Sequence, residues 1–579
     1  FIHEWKKGER ILECGYFRFV PPKQVKNLQQ KLAIQYQASH ALAYSSGRSA
    51  LLELISYLQC SGSLTNLHLI SNISSITNAL LTLGIKTNHI KIKNIPEAES
   101  FSKKKGDVIL IARKNTQNFF RENKEWLRKF KRLRVIIIVY EEAALEYRQK
   151  NILNEWQLGL THLVAGFTAT KGFDHPLVIE GGAILSNNDR QVAELSELRK
   201  QRGAIISARN AALFCEKFSV NAKDSKRILL NNLETRTKQN FVHEEAVKKQ
   251  LCEWENADYG VLFPSGMAAI MALMTLLWKK GKTRLIVIGL LYSETYSLLM
   301  NYGRSLKFDA LFLGLHEMDR LNRVLTKNTA MVITETITNP LCQVPNLELI
   351  GKLANAQGVP FLVDNTLASP ANCQPINWGA DYVIHSTTKY LSGTNDHAGG
   401  IVLVKCPEKA NALINFQKNW GLVISPLEIK VLLQRIHDFE ERMMRFNDNN
   451  LAVVQFLEAH SAVEKVFYAF STSNFPNSNA TKLLSGCGGV VSFVLKNNTE
   501  GNLRNFYDGK FSSIFKAPTL GSNKTLICPY TLLTHYFDSE KDLQEIELPR
   551  YLIRIASGSE RKIEPIIADL NSALARTTP

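Results

Sequence analysis

His385-Ser386-Thr387-Thr388-Lys389-Tyr390, followed by Gly399-Gly400-Ile401-Val402-Leu403, is a passage this chain contains twice. The earlier version reads Thr168-Ala169-Thr170-Lys171 and then Gly181-Gly182-Ala183-Ile184-Leu185, with the same lysine-to-glycine spacing. Downstream, Arg202-Gly203-Ala204-Ile205-Ile206-Ser207 matches Trp420-Gly421-Leu422-Val423-Ile424-Ser425 without a gap. Upstream, Tyr44-Ser45-Ser46-Gly47-Arg48 matches Phe263-Pro264-Ser265-Gly266-Met267. A repeat has to be recognised before any fold is assigned, because missing it misplaces every element. The second copy continues from Arg435 to Pro579, whereas the first runs almost directly into the second near residue 220. The N-terminal third is therefore expected to be a diverged copy without the C-terminal part.

Within each copy, short β-branched runs such as Val135 to Val139 and Val359 to Val363 alternate with helical patterns. That alternation is the signature of α/β layers around a mostly parallel sheet. Beyond residue 485 the pattern becomes α+β, with expected strands Gly489 to Leu495 and Tyr551 to Ala556 and a helix from Ile563 to Ala575. With 579 residues, 45% of them hydrophobic, several cores are expected, since single cores stop growing at roughly 250 to 300 residues. The expected domains are an α/β large domain at 1–218, a second one at 219–435, and an α+β small domain at 436–579.

A formal net charge of +17 raises polyanions as partners. The excess is scattered, however, and its densest cluster, Arg128, Lys129, Lys131, Arg132 and Arg134, lacks interleaved aromatics, so a solvated face is expected and no nucleic acid. The nine cysteines are widely spaced, with no CxxC pair and no histidine cluster at metal-ligand spacing. No metal and a reduced, cytoplasmic compartment are expected. The longest apolar stretch, Val261 to Trp278, is interrupted by Pro264, Ser265 and Gly266 and is too short for a bilayer. No signal-peptide pattern opens the chain, and no membrane association is expected.

The chemistry-bearing residues gather in the second copy. Ser265-Gly266-Met267 ends an apolar run and opens a strongly helical one, which places backbone N–H groups at a helix N-terminus, an anion site. Alone, such a step is a tight turn. It gains meaning from Ser386 and Thr388, whose hydroxyls flank Lys389 and can reach the same phosphate while the lysine reaches an aldehyde. Asp364, at the end of an apolar strand and followed by Asn365-Thr366, is placed to pair with a protonated pyridine nitrogen. Tyr292, after the strand Leu285 to Gly289, offers a phenol to stack on a ring and relay protons. Pyridoxal 5'-phosphate is the cofactor such a set requires, with the carboxylate making its ring an electron sink.

Residues 220–579 resemble the Cys/Met-metabolism pyridoxal-phosphate enzymes, the family of cystathionine γ-synthase, cystathionine lyases and homoserine sulfhydrylases. The matching segments are Ser265 to Ala269, Tyr292 with Thr295-Tyr296, Glu335 with Asn339-Pro340, Val363 to Thr366, and His385 to Gly393 with Asp396. Ile553-Arg554-Ile555-Ala556-Ser557-Gly558-Ser559-Glu560 resembles the stretch whose arginine binds a substrate α-carboxylate, a role suited to a bidentate guanidinium. The resemblance implies a fold-type I (aspartate aminotransferase-like) architecture. It implies backbone contacts from Gly266 and Met267 to the phosphate, ring stacking by Tyr292, and Asn339 on the phenolic-oxygen side, with Ser386, Thr388 and Thr366 also among the cofactor-binding residues. It also implies Asp364 on the pyridine nitrogen, and Lys389 as the Schiff-base lysine that moves protons between Cα and Cβ.

Two departures matter. The family completes its phosphate site with a Tyr-x-Arg segment from a neighbouring subunit; the second copy has Glu234-Thr235-Arg236 there, and a carboxylate beside a phosphate is repulsive. The first copy has Tyr16-Phe17-Arg18. It otherwise lacks the site, with Ile73 for Tyr292, Arg113 opposite Glu335, Arg48 opposite Met267, and no Asp-Asn-Thr or counterpart of Arg554; Lys171 is read as a remnant. A pseudo-dimer within one chain is expected, Tyr16 and Arg18 serving the site around Lys389. The second departure is Thr519-Leu520-Gly521-Ser522-Asn523-Lys524-Thr525, in which Lys524 replaces a glutamate near the substrate side chain in relatives. Either Lys524 favours an anionic substrate group or it points to solvent.

The expected function is γ-replacement on an activated homoserine or a related amino acid. β- or γ-elimination by a C–S lyase is the alternative, and an inactive scaffold is the alternative of another class. The expected partners are a small amino-acid substrate and a second copy, giving a homodimer of pseudo-dimers, with a monomer as the other option.

Overall fold

The computed structural model describes residues 23–35, 38–44, 46–60, 66–71, 87–89, 107–113, 136–142, 162–171, 177–186, 189–201, 211, 238–278, 282–305, 308–471, 478–536 and 538–577. Tyr16, Arg18, Ile73 and Glu234 to Arg236 lie outside them. The described residues fall into two compact units, one built from Pro21–Ala246 with Asn411–Lys430, the other from Val247–Ala410 with Val431–Pro579.

The first unit contains strands β1 (His40–Tyr44), β2 (Asn66–Ser71), β3 (Thr87–His89), β4 (Asp107–Arg113), β5 (Ile136–Glu142), β6 (His162–Lys171) and β7 (Leu177–Ser186). They form one sheet in the order β1-β7-β6-β5-β4-β2-β3. β7 runs antiparallel to both neighbours and the remaining pairs are parallel. Ile136-Ile137-Ile138-Val139 in β5 is the continuous apolar run that a parallel strand covered on both faces needs.

The second unit contains β8 (Tyr259–Phe263), β9 (Arg284–Ile288), β10 (Asp309–Leu313), β11 (Thr329–Glu335), β12 (Phe361–Asp364), β13 (Tyr382–His385) and β14 (Gly400–Val404). Read from β8, their order is β8-β14-β13-β12-β11-β9-β10, with β14 antiparallel to both neighbours and the rest parallel. Strand for strand, order and direction are those of the first sheet. The strands are buried throughout β11, β13 and β14.

Registers refine the alignment of the repeat. Asp364 pairs with Ile384 and Glu142 with Gly166. Both partners precede their lysine by the same step (389 − 384 = 171 − 166 = 5). Glu142 therefore stands at the level of Asp364. Arg113 pairs with Glu141, which places it level with Thr334, the partner of Val363, rather than with Glu335 as the sequence alone indicates; one step along a strand changes the face. The lysines also differ: β13 ends at His385, ahead of Lys389, whereas β6 continues through Lys171, which pairs with Leu177.

Beyond these, β15 (Val463–Phe467), β16 (Val490–Leu495), β17 (Phe515–Lys516), β18 (Leu526–Pro529) and β19 (Ile553–Ala556) form a five-stranded sheet in the order β15-β16-β19-β18-β17. The helices Phe439–Ala459 and Glu564–Leu574 pack on it through Val453, Leu457, Ile566 and Leu570 against Val491, Phe493 and Ile555, all buried. Each such leucine contributes about 1.5–3 kcal/mol by leaving water. Among the described residues no helix is long and apolar enough to cross a membrane, and no group of acidic, histidine and cysteine side chains is arranged to hold a metal ion.

Candidate active site

The C-terminal ends of β9, β11, β12 and β13 bring the sequence-derived residues together. In open α/β sheets this edge is where ligands bind. Glu335 ends β11 and lies beside Asp364, which ends β12. The Tyr292 N–H donates to Glu335 Oε1 (2.5 Å) and the Asn339 N–H to Oε2 (3.2 Å). Burial, and after it the charge of Asp364, holds the Glu335 carboxyl well above the ordinary carboxylate range. Asp364 Oδ1 accepts from the Thr366 N–H (2.9 Å). Its carboxyl too is raised by the surrounding protein, against the opposing pull of Thr366 and of the nearby His385. Thr366 turns its hydroxyl to the lysine loop, accepting from the Ser386 N–H (2.9 Å).

Ser265 caps the helix Gly266–Leu277, its hydroxyl accepting from the Ala268 N–H (3.1 Å). The N–H groups of a first helical turn have no acceptor inside the helix. A Cβ on Gly266 would stand 3.1 Å from Ser386 Cβ, and one on Gly400 would stand 2.5 Å from the Ser265 carbonyl oxygen and 2.6 Å from the Gly266 nitrogen. The phosphate turn, the lysine loop and β14 are thus in backbone contact. Gly400→Ala is expected to weaken cofactor retention and to destabilise the fold by about 1–3 kcal/mol, as read by dialysis and by denaturant unfolding.

Lys389 Nζ donates to Thr519 Oγ1 (2.7 Å). Gly521, at φ +71°, packs so closely that a Cβ would stand 2.6 Å from the Lys389 carbonyl carbon. From the other side Arg442 bonds the carbonyls of Tyr390 (3.3 Å) and Leu391 (2.9 Å). Thr388 Oγ1 accepts from the Gly399 N–H (3.3 Å), closing the loop on itself. Arg554, in β19, is 1% exposed. Its guanidinium donates to Asn339 Oδ1 (3.0 Å) and to the carbonyls of Thr519 (3.1 Å) and Pro518, and it lies over the Tyr530 ring at 4.9 Å. Tyr530 accepts from Asn339 Nδ2 (3.1 Å). Among the described residues Arg554 has no carboxylate partner, and its buried Nε has no hydrogen bond. A buried cation of that kind is costly until an anion arrives.

Met267, Tyr292, Ser386 and Thr519 are all half-buried along this edge, and Lys524 is exposed, its N–H donating to Ser522 Oγ (3.2 Å). Sequence reasoning missed Arg442, the Glu560 carboxylate that accepts from Thr525 Oγ1 (3.1 Å), and Glu255, on His385 at 2.7 Å. A separate cavity of about 450 Å³, between Trp254, Phe439 and Met443, shares no lining residue with this cluster. In the first unit the turn Ser46-Gly47-Arg48 is engaged by backbone: Ser46 Oγ donates to the Gly421 carbonyl (2.8 Å) and the Arg48 guanidinium to that of Lys418.

A serine-capped helix N-terminus, a lysine on the adjoining loop, a carboxylate at the sheet end and a buried guanidinium are the arrangement of a pyridoxal-phosphate enzyme of fold type I. Residues 231–575 match the model of the family described as Cys/Met metabolism PLP-dependent enzyme, and the chain belongs to that family. A cystathionine gamma-lyase of Bacillus subtilis is 32% identical over 57% of this chain and 85% of its own length. A cystathionine gamma-synthase of Mycobacterium leprae is 30% identical over 57% and 83%. The crystal structure of cystathionine gamma synthase from Xanthomonas oryzae pv. oryzae, in complex with aminoacrylate and cysteine, superposes with a TM-score of 0.55 at 27% identity. That superposition covers 58% of this chain and 86% of the other. The cofactor is pyridoxal 5'-phosphate, and the close packing at Gly266, the Asp364 carboxylate and the unpartnered Arg554 Nε fit it.

Proposed function

We propose that the chain catalyses γ-replacement on an activated homoserine or a related amino acid at one site built around Lys389; the alternative is β- or γ-elimination as a C–S lyase. The observation that carries this reading is the buried Arg554 guanidinium, which has no carboxylate partner among the described residues and is joined through the Thr519 backbone and hydroxyl to Lys389 Nζ. When bound, the cofactor supplies an electron sink for the carbanion formed beside the amino-acid carboxylate.

The side chains do the rest. Arg554 fixes the substrate α-carboxylate, with Asn339 held on the phenolic-oxygen side by its bonds to Arg554 and Tyr530. Asp364 keeps a proton on the pyridine nitrogen, and Tyr292 stacks on the ring. The N–H groups of Gly266 and Met267 and the hydroxyls of Ser386, Thr388 and Thr366 receive the phosphate. Thr519 orients the Lys389 amine, which carries a proton between Cα and Cβ. In this reading the exposed Lys524 favours an anionic group on the substrate side chain; its alternative is a lysine that only faces solvent.

The test is to add anionic and neutral homoserine and cysteine derivatives to the holoenzyme while recording visible absorption and assaying thioether, ammonia and 2-oxo acid. Activated homoserine with cysteine is expected to give thioether with little ammonia, the anionic derivatives reacting faster. Ammonia and 2-oxo acid as the main products would make the chain a lyase. No spectral change with any compound would sink the reading.

The same proposal takes residues 1–218 as a degenerate large domain, 219–435 as the catalytic large domain and 436–579 as the small domain, with two such chains associating in a cytoplasmic homodimer. The shared strand order and direction of the two sheets support it. So do the placement of Lys171 in the β6–β7 ladder and the free thiols of Cys252, Cys342, Cys373, Cys406, Cys487 and Cys528. Tyr16 and Arg18 complete the phosphate site. Arg18→Ala is then expected to raise the cofactor dissociation constant by about tenfold or more, as losing a charge-assisted phosphate bond does; unchanged affinity in a dialysis titration would remove Arg18 from the site.

A further inference from the structure

We infer that Glu255, far from Lys389 in sequence and outside the cofactor pocket, is a positioning residue that acts on Asp364 from behind through His385 and Asn365. Glu255 ends the helix Lys238–Glu255 and is 0% exposed. Its Oε2 lies 2.7 Å from His385 Nε2 and accepts from Asn365 Nδ2 (3.2 Å); its Oε1 has no partner. His385 and Asn365 are themselves buried, at 1% and 0%. They flank Asp364, Asn365 as the next residue in the chain and His385 as the residue after Ile384, the cross-strand partner of Asp364.

Each of the two is fixed by further bonds. The Asn365 N–H donates to the Ile384 carbonyl (2.8 Å), its Nδ2 also donates to the Cys373 carbonyl (2.8 Å), and its Oδ1 accepts from Thr336 Oγ1 (2.8 Å). Thr336 in turn donates its N–H to the Asp364 carbonyl (3.0 Å). One carboxylate thus closes a ring of bonds around the strand end that carries Asp364. A buried carboxylate on an imidazole orients it and favours a proton between them.

The ring has an electrostatic consequence. The groups facing Asp364 are Glu335 on β11, its own carboxyl raised by burial and by Asp364, Thr366 on its own turn and His385 on β13, of which Thr366 and His385 favour ionisation. The groups facing Glu255 are His385, Asn365 and the Cys373 thiol. Burial raises the Glu255 carboxyl, and His385 and Asn365 oppose that; replacing it takes away the group that orients His385 and Asn365 and so weakens the hold of His385 on Asp364. The Asp364 carboxyl then ionises at higher pH, and the pyridine nitrogen keeps its proton less well.

This inference rests on the assignment of Asp364 to the pyridine nitrogen, and the experiment separates the two. Glu255→Gln, His385→Gln and Asp364→Asn holoenzymes are compared by the pH dependence of bound-cofactor absorption and of kcat/KM. With Glu255→Gln and His385→Gln the acidic limb is expected to move to higher pH and kcat to fall about tenfold, the usual effect of losing an orienting partner behind a working group, with KM little changed. Reconstitution with a cofactor analogue carrying carbon in place of the ring nitrogen is expected to erase the difference between Glu255→Gln and the parent. A difference that persists with the analogue, or an unmoved limb in both variants, would overturn the inference. An Asp364→Asn protein with unchanged absorption and rate would overturn the underlying assignment instead.

Discussion

Lys389→Ala is expected to abolish turnover, with kcat falling by roughly 10²–10⁴, the range attributed to a positioned acid–base group, and further by whatever the covalent attachment itself contributes. The bound cofactor should then leave on dialysis, because only non-covalent contacts would hold it. The fold should survive: Lys389 is half-buried, and the loop that carries it is held by the Arg442 guanidinium donating to its carbonyls and by packing on Gly521. Unfolding curves that match the parent, together with loss of visible absorption after gel filtration, would establish that the lysine acts in chemistry. Lys171→Ala is the control and should leave both rate and absorption unchanged, because Lys171 belongs to the β6–β7 ladder.

Arg554→Ala should show the opposite balance, with stability and substrate binding lost together. Its removal leaves Asn339 Oδ1 and the Pro518 and Thr519 carbonyls without their donor, and each buried unsatisfied group costs about 1–3 kcal/mol. The cation over the Tyr530 ring goes as well. Arg554→Lys keeps the charge but not the planar fork, so its main effect should be a KM raised by roughly 10- to 100-fold at a less altered kcat, the mark of lost uniform binding. Amines without a carboxylate should bind the parent and the lysine variant alike. Equal KM values for amino acids would remove Arg554 from substrate recognition.

That Lys389, Asp364 and Arg554 belong to one cluster was legible in the sequence because each sits in a short stretch with a recognisable pattern. Hydroxyls stand beside the lysine, an apolar strand precedes the carboxylate, and a small polar turn follows the arginine. The sheet was legible for a related reason, since the apolar runs of β5 and β12 and the paired glycines that open β14 are local patterns. Glu255 and Arg442 were not legible. In sequence Glu255 is an acid near Glu253 on an amphipathic helix, and nothing nearby says that it faces His385, a residue of another strand. Arg442, one of two arginines in its helix, finds the carbonyls of Tyr390 and Leu391 only once the chain has folded back. Register was likewise invisible: the position of Glu142 at the level of Asp364 emerged from pairing with Gly166, not from any motif.

On the proposal that residues 1–218 are a degenerate large domain, the ladder that holds Lys171 bears on how reversible the loss of its site would be. Thr168, Ala169, Thr170 and Lys171 pair rung by rung with Glu180, Ile179, Val178 and Leu177, so the peptide groups needed to shape an anion cradle are committed to a hairpin. Restoring the missing side chains one at a time would decorate that hairpin without opening it. Recovery would require a change of backbone path, a step that no single substitution supplies, and selection acting residue by residue has no graded route back.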